Sequence, residues 1–321
     1  MLGGNGFVGS AIVADALAHG AEVASFSRGK TSIGTSLRSG GGGSLPPEVT
    51  QLVGDRETGD YAALRTGEWD AVVDLSGYQS KQVDEAMDVL GDRVGRYVFI
   101  SSHAVYVRDL PPGTDETAPR RAPMRSADVL TNQTYGPCKV ACEDDVLERY
   151  GDRATIVRPG RVTGPGDTAS TVLYWVRRGA AGGRVALPTK PEQPLQFIDS
   201  RDVGRLVVQL ITDGRSGGYN AVGPFSTIAE LIETSAELAG RTVELIQVRR
   251  DAAPARFPLM EPEGEWGERR RNPAKALAAG MSVTPLRQTI ADLIAWDQHR
   301  GTPDLDFGFT PEQEATLLAT H

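Results

Sequence analysis

The chain has 321 residues, of which 40% are hydrophobic and 24% charged, and its formal net charge is −8. This composition suits a folded enzyme with a large core shared by two domains. An acidic chain without an extended basic stripe is a poor ligand for nucleic acid, and its dense basic run, Arg269-Arg270-Arg271, is typical of a solvated face. No apolar stretch is long enough to cross a bilayer and no secretory leader is visible, so we expect a cytoplasmic protein that does not bind membranes.

A glycine-rich turn opens the chain. Gly3, Gly6 and Gly9 are followed by a helical pattern that starts at Ile12 and ends at Gly20. Gly6 lets the backbone approach a pyrophosphate, Gly9 permits close helix packing, and the free N–H groups of the helix start favour an anion. A glycine turn without a ligand is the alternative. The predicted cofactor contacts in this turn are Gly3, Gly6, Phe7, Val8 and Gly9.

Only Met1 and Leu2 stand before this turn, where a dinucleotide-binding fold needs a buried strand of about five residues. In a doubly wound sheet the first strand lies mid-sheet, and its loss would leave unpaired backbone on both neighbours. We therefore expect the first strand to be truncated, and a misplaced start codon is the simplest explanation.

The end of the next strand, predicted at residues 21–26, favours NADP over NAD. NAD-binding proteins usually place a carboxylate about twenty residues past the glycines, where it holds the ribose 2′-hydroxyl. Here Ser27 stands in that place, and Arg28 with Lys30 could clamp a 2′-phosphate. A solvated basic loop is the alternative, and NAD stays possible. The glycine-rich residues 39–44 are predicted to form a flexible surface loop without function.

Two further runs predict parallel strands that end beside the cofactor. Residues 51–56 form a short third strand, whose Asp55 could reach the adenine amino group and whose Arg56 lies next to it. Residues 69–75 are almost continuously apolar, as a strand buried on both faces should be. Ser76 and Gly77 follow, at the edge where such sheets bind ligands, and are predicted to contact the cofactor.

Three later residues have the chemistry of a redox site. Ser102 follows an apolar strand and can donate to a substrate carbonyl oxygen. Tyr135 and Lys139 lie on one face at the start of a helix that runs to about Tyr150, since Pro137 is tolerated only in a first turn. A lysine ammonium and the oxidised nicotinamide would lower the tyrosine pKa from about 10 and make it an acid–base catalyst. We predict Ser102, Tyr135 and Lys139 as catalytic residues.

With these motifs the chain resembles the extended short-chain dehydrogenases/reductases of the NAD-dependent epimerase/dehydratase family. The resemblance rests on the glycine turn, on Ser102 three residues before Val105-Tyr106, and on Tyr135-x-x-x-Lys139. It implies a doubly wound, parallel Rossmann-type α/β sheet with a smaller C-terminal α/β substrate cap, and a possible homodimer. It also implies that Lys139 holds the nicotinamide ribose and that Pro159 lies in the cofactor site. The expected division is residues 1–168 with 195–222 for the cofactor domain, and 169–194 with 223–321 for the substrate domain.

Two departures from the family pattern narrow the substrate. Nucleotide-sugar members usually carry an asparagine where this chain has Arg161, and dehydratases carry an Asp-Glu pair where this chain has His103-Ala104. A nucleotide sugar and a sugar dehydration are therefore less expected. His103, Arg161 and Trp175 are the candidate substrate contacts, with ordinary packing as the alternative for each.

Three functions agree with these observations. The leading hypothesis is an NADP(H)-dependent oxidoreductase that transfers hydride to or from a carbonyl or alcohol carbon of a small molecule, with Tyr135 as acid–base. The second is an NAD(P)-dependent epimerase of a sugar-like substrate. The third is a non-catalytic NADP-binding regulatory protein, which would have no need for Ser102, Tyr135 and Lys139 together. No metal site is predicted, because Cys138 and Cys142 lack ligand partners at metal spacing.

Overall fold

The computed structural model describes residues 1–29, 45–168, 171–254 and 257–320. Lys30 and the predicted loop at residues 39–44 lie outside the described residues. The helices are α1 Phe7–Ala18, α2 Ser80–Leu90, α3 Tyr135–Tyr150, α4 Thr171–Ala181, α5 Ser200–Thr212, α6 Ile228–Leu238, α7 Ala274–Ala278, α8 Leu286–His299 and α9 Pro311–Leu318. The strands are β1 Ala24–Ser27, β2 Thr50–Val53, β3 Trp69–Asp74, β4 Val94–Ile100, β5 Ala154–Pro159, β6 Arg161–Thr163, β7 Gly183–Leu187, β8 Pro194–Asp199, β9 Gly217–Ala221, β10 Phe225–Thr227 and β11 Val243–Gln247.

The central sheet is parallel. β3, β4, β5 and β9 are neighbours in that order, and each adjacent pair runs parallel. β1 and β2 form a second parallel pair, which Leu2 joins to β3 through bridges to Phe26 and Asp74. The predicted doubly wound, parallel Rossmann-type sheet is confirmed.

Leu2 occupies the middle of the sheet, between β1 and β3. Its N–H donates to the Val73 carbonyl oxygen at 2.8 Å, and its own carbonyl oxygen accepts from the Leu75 N–H at 3.0 Å. The side chain is 2% exposed. Because Gly3 follows directly, the glycine turn begins at the carboxyl edge of the sheet.

Both faces of the sheet are covered by helices, as the alternation along β4 shows. Tyr97 and Phe99 belong to an apolar cluster with α2 and α3, whereas Val98 and Ile100 belong to another with α1 and α5. Successive side chains of a strand point to opposite faces, so one apolar run serves two cores. This layering leaves the loops at the carboxyl edge free to build a site.

The C-terminal part contains a further apolar core. Helices α4, α6 and α8 pack with the parallel pair β7 and β11 and with part of β8. β8 also pairs with β6 and β10, so it connects this core to the central sheet region. The arrangement agrees with the predicted smaller α/β cap, while the predicted domain boundaries remain a prediction. Within the described ranges, no helix is both long and apolar enough to cross a membrane.

Candidate active site

The glycine turn lies in front of the amino terminus of α1. Gly3 has φ +89°, a conformation that favours glycine, and a Cβ on Gly9 would come 2.6 Å from the Gly3 carbonyl oxygen. Gly6 is the N-cap residue and has no capping side chain, so it leaves the first helical N–H groups without a side-chain acceptor. Among the described residues, a Cβ on Gly6 would come within 4 Å of the Gly3 carbonyl oxygen alone, at 3.8 Å. The protein's own packing does not require glycine at position 6, and the space suits a phosphate group.

The ends of β1 and β2 lie side by side next to this turn. Ser27 is half-buried and pairs in register with Val53, while Arg28 is exposed. Asp55, one residue beyond Gly54, accepts a hydrogen bond from the Glu57 N–H at 2.9 Å. These positions are compatible with the predicted adenosine contacts of Ser27, Arg28 and Asp55, which remain a prediction.

Arg56 has a different environment from Asp55. Its guanidinium is buried and bonds the Asp74 carboxylate twice, with Nη1–Oδ1 at 2.6 Å and Nη2–Oδ2 at 2.9 Å. It also donates to the Ser76 hydroxyl at 2.9 Å and to the Gln82 carbonyl oxygen at 2.7 Å. Arg56 was predicted beside the cofactor, but the structure turns its guanidinium into the protein.

Asp74 is the centre of this buried network. It ends β3 with no exposed surface, and its Oδ1 accepts from the N–H groups of Ser76 and Gly77, each at 3.0 Å. Its Oδ2 accepts from the Tyr97 hydroxyl at 2.8 Å. Burial opposes ionisation of Asp74, but the charge and hydrogen bonds of Arg56 outweigh it and lower the carboxyl pKa. The Asp74 carboxylate thereby holds the backbone of the turn at Ser76 and Gly77 in place.

Lys139 lies on the other side of that turn. Its Nζ donates to the carbonyl oxygens of Gly77 at 2.7 Å and Ile100 at 2.9 Å, and lies 4.5 Å from the centre of the Phe99 ring. The side chain is 1% exposed, and this burial lowers the pKa of the ammonium. An ammonium has three N–H groups. The described residues supply two acceptors, so one N–H remains for a ligand such as the nicotinamide ribose.

A close backbone contact joins the start of α3, where Tyr135 lies, to the loop after Ser102. Tyr135 is the first residue of α3, one turn before Lys139, and is half-buried. A Cβ on the next residue, Gly136, would come 2.1 Å from the Ala104 carbonyl oxygen, two residues beyond Ser102. The Ser102 hydroxyl accepts from the Ala104 N–H at 3.2 Å, which leaves its own proton available. The geometry thus collects the three predicted catalytic residues at one edge of the sheet.

The dinucleotide that the fold implies fits these residues. The glycine turn offers helix N–H groups and open space for the phosphates, and Lys139 offers a buried N–H for the ribose. Pro159 is the last residue of β5, is buried, and pairs in register with Ala221. Its predicted contact with the cofactor remains a prediction.

A cleft beside the loop that follows Ser102 is lined by two of the predicted substrate contacts, His103 and Arg161. It is open to solvent, its cavity volume is about 20 Å³, and its lining combines polar and apolar side chains. Arg161 lies 3.4 Å from the Glu261 carboxylate and 3.2 Å from the Thr171 hydroxyl. The cleft is lined by His103, Arg161, Pro194, Leu195, Gln196, Phe197, Leu259 and Glu261.

Trp175, the third predicted substrate contact, does not reach this cleft. Its side chain has no exposed surface, and its indole N–H donates to the Pro258 carbonyl oxygen at 3.0 Å. The ring packs edge-on against Tyr174 and Phe257 in the C-terminal core. A tryptophan enclosed in this way stabilises the cap rather than contacting a ligand.

Sequence reasoning missed Asp74 and Gly136. Asp74 stood inside an apolar run, and a carboxylate in a strand predicted to be buried was the available signal, since a buried charge needs a partner. Gly136 interrupted the start of a predicted helix, where glycine is unfavourable unless a close contact requires it. The two cysteines are free and buried, and burial raises the pKa of the Cys142 thiol to about 12.

The fold and the glycine turn define a Rossmann-type dinucleotide-binding protein. The model of the NAD dependent epimerase/dehydratase family matches residues 1–222. This is more than half of the chain, which therefore belongs to that family of NAD-dependent enzymes, as the sequence resemblance indicated.

Individual relatives are distant. The chloroplast stem-loop binding protein of 41 kDa b of Arabidopsis thaliana is 23% identical over 217 residues, which cover 66% of this chain and 54% of that protein. The dTDP-4-dehydro-6-deoxy-D-allose reductase of Streptomyces bikiniensis is 26% identical over 174 residues, covering 51% and 52% respectively. The chain spans about half the length of these curated relatives.

A solved structure extends the likeness to nearly the whole chain. The UDP-glucose 4-epimerase of Thermotoga maritima, crystallised with UDP-glucose, superimposes with a TM-score of 0.67 at 16% identity. The superposition covers 93% of this chain and 98% of that chain. At this identity the likeness shows the shared fold.

Proposed function

We propose that the protein is an NADP(H)-dependent oxidoreductase that transfers hydride to or from a carbonyl or alcohol carbon of a small molecule. The observation that supports this most is the buried Lys139 ammonium, one helical turn from Tyr135, with an N–H left for a ligand. A buried cation beside a half-buried phenol is the arrangement that acid–base chemistry at neutral pH requires. Membership of an NAD-dependent family agrees with it.

The roles of the chain's residues follow from their contacts. Lys139 cannot swing away, because two carbonyl oxygens hold its Nζ, so its positive charge favours the Tyr135 phenolate. Tyr135 gives a proton to the substrate oxygen or takes one from it, and the Ser102 hydroxyl donates to the same oxygen. The nicotinamide, when bound, supplies or accepts the hydride.

The preference for NADP is part of the proposal. β1 ends in Ser27 without a carboxylate, and Arg28 is exposed beside it, where it can meet a 2′-phosphate. The substrate is expected in the cleft at His103 and Arg161, which combines polar groups with an apolar wall.

An epimerase of a sugar-like substrate is the second candidate. The epimerase name of a similar solved structure supports it, and the same catalytic residues would serve both reactions. The reductase among the relatives supports the first candidate instead. RNA binding, suggested by the name of the Arabidopsis relative, is opposed by the net charge of −8. A cytoplasmic location and a homodimer remain predictions.

The test is Tyr135→Phe, measured against Tyr150→Phe in the same helix. The Tyr150 hydroxyl is buried and has no hydrogen-bond partner among the described residues, so its removal is a matched control. NADPH and NADH are offered with a panel of ketones and sugars, and absorbance and product mass are followed together.

We expect Tyr135→Phe to lower turnover by about 10²–10⁴-fold with cofactor affinity nearly unchanged, and Tyr150→Phe to behave as wild type. A product of unchanged mass but altered configuration, separated by chromatography and formed without net cofactor oxidation, would favour the epimerase. Wild-type turnover in Tyr135→Phe would refute the catalytic role of that residue.

A further inference from the structure

A buried ion pair lies directly behind the candidate cofactor site and takes no part in the chemistry proposed above. The Asp74 carboxylate accepts two hydrogen bonds from Arg56, one from Tyr97, and two from backbone N–H groups. Neither ionised side chain is more than 7% exposed. Ion pairs buried this deeply are weak evidence for stability, because desolvation offsets much of their attraction. We therefore look for a role other than stability in what the pair contacts.

The two backbone N–H groups belong to Ser76 and Gly77, and this turn contacts two parts of the site. On one side, a Cβ on Gly3 would come 3.0 Å from the Ser76 Cβ, so the turn packs against the phosphate-binding glycines. On the other side, the Gly77 carbonyl oxygen accepts from Lys139 at 2.7 Å. Ser76 and Gly77 therefore connect the phosphate-binding turn to Lys139.

Arg56 holds this bridge from a second direction. Its Nη1 bonds both Asp74 and the Ser76 hydroxyl, and its Nη2 bonds both Asp74 and the Gln82 carbonyl oxygen in α2. A planar guanidinium offers these donors in a fixed geometry, which a lysine could not. The turn therefore cannot shift without breaking bonds to a rigid group.

We propose that Arg56 and Asp74 are a positioning pair that fixes the Ser76–Gly77 turn and thereby keeps the phosphate-binding turn and Lys139 in mutual register. The pair acts through the turn and does not touch the reacting atoms. This inference rests on the proposed function of the site, and it assigns Arg56 an indirect effect on the cofactor in place of the predicted contact.

The test is the double variant Arg56→Met/Asp74→Asn, which removes both buried charges and keeps an acceptor oxygen near the backbone N–H groups. The matched control is Arg177→Met/Asp297→Asn in the C-terminal core, where Arg177 bonds the buried Asp297 carboxylate at 2.6 and 2.7 Å. Melting temperature, dissociation constants for NADPH and NADH, and kcat with KM are measured for each protein.

We expect the Arg56/Asp74 double variant to bind its cofactor about tenfold more weakly, or 1.4 kcal/mol. Its kcat at saturating cofactor should fall by up to about 10²-fold, since misplacement of about 1 Å is enough for that. The control variant should lose a comparable part of its melting temperature and keep both quantities. A structural role alone would move the melting temperature of both variants and neither kcat.

If the double variant does not fold, Tyr97→Phe tests the same inference. Tyr97 is fully buried, so it reaches the site only through its hydrogen bond to Asp74. Its ring stacks on Tyr150 at 4.9 Å, whose hydroxyl has no partner among the described residues. Tyr97→Phe should weaken cofactor binding a few-fold, and Tyr150→Phe should not.

Two outcomes would overturn the inference separately from the function. Wild-type cofactor binding and kcat in a folded Arg56/Asp74 double variant, or in Tyr97→Phe, would show that the pair only supports the fold. Failure of the wild-type protein itself to bind NADPH or NADH would instead overturn the proposed function, and the positioning role with it.

Discussion

Gly136→Ala tests whether the contact between α3 and the loop after Ser102 sets the active-site geometry. The added Cβ would lie 2.1 Å from the Ala104 carbonyl oxygen, whereas real Cβ contacts essentially never fall below 3.0 Å. The backbone of α3 or of the loop must therefore move by about 1 Å, since a carbonyl oxygen cannot rotate away as a flexible side chain can. Tyr135, directly before Gly136, would move with it.

The expected losses differ in size for stability and for catalysis. Over-packing of this kind costs about 1–3 kcal/mol of unfolding free energy. A displacement of about 1 Å between Tyr135 and Ser102 lowers kcat by about 10²-fold. Cofactor affinity should fall less than kcat, because the phosphate-binding turn does not belong to α3 and only the Lys139 contact moves with that helix. Thermal melts, cofactor titrations and kcat on a substrate from the carbonyl panel measure the three effects.

Gly179→Ala is the matched control for this prediction. A Cβ on Gly179, in α4, would come 2.4 Å from the Ile232 carbonyl oxygen in the C-terminal core. It should lose a similar amount of stability with kcat retained. Equal kcat for Gly136→Ala and the wild-type protein would refute the claim that this contact aligns Tyr135 with Ser102.

Three further predictions concern the cofactor, acid stability and the cap. Arg28→Ala should weaken NADPH far more than NADH, since only NADPH carries a 2′-phosphate; equal losses in parallel titrations would contradict the NADP preference. The folded pKa of Asp74 is lowered below its unfolded value of about 3.9, so the ionised form contributes stability above that pH and loses it as pH falls through the folded pKa. Below about pH 4 the melting temperature should therefore fall less steeply with decreasing pH for Arg56→Met/Asp74→Asn than for wild type. Parallel curves of melting temperature against pH would exclude this contribution of Asp74. Trp175→Phe should lower the free energy of unfolding by about 1–3 kcal/mol, because the hydrogen bond to Pro258 is lost and the ring is smaller. KM should stay unchanged, and a raised KM would show that Trp175 contacts the substrate after all.

Local patterns were sufficient for most of the elements. α3 runs from Tyr135 to Tyr150, as the sequence predicted, because the residues next to a helix end largely decide where the helix starts and stops. The apolar run that became β3 indicated a strand buried on both faces. Parallel strands deliver their carboxyl ends to one edge, so the spacing of motifs along the chain was enough to predict that the glycine turn and Lys139 share that edge.

Contacts between distant residues were decided only by the tertiary structure. The sequence could not show that Arg56 turns inward to Asp74, because two charged residues 18 positions apart have no local pattern that pairs them. Nor could it show that Trp175 is enclosed by the C-terminal core or that Gly136 lies against Ala104. Secondary structure follows from the periodicity of neighbouring residues, whereas burial and pairing depend on which elements pack together in three dimensions. For this protein the sequence determined the fold and named the candidate residues of the site, and the packing of its elements determined which of those residues come together.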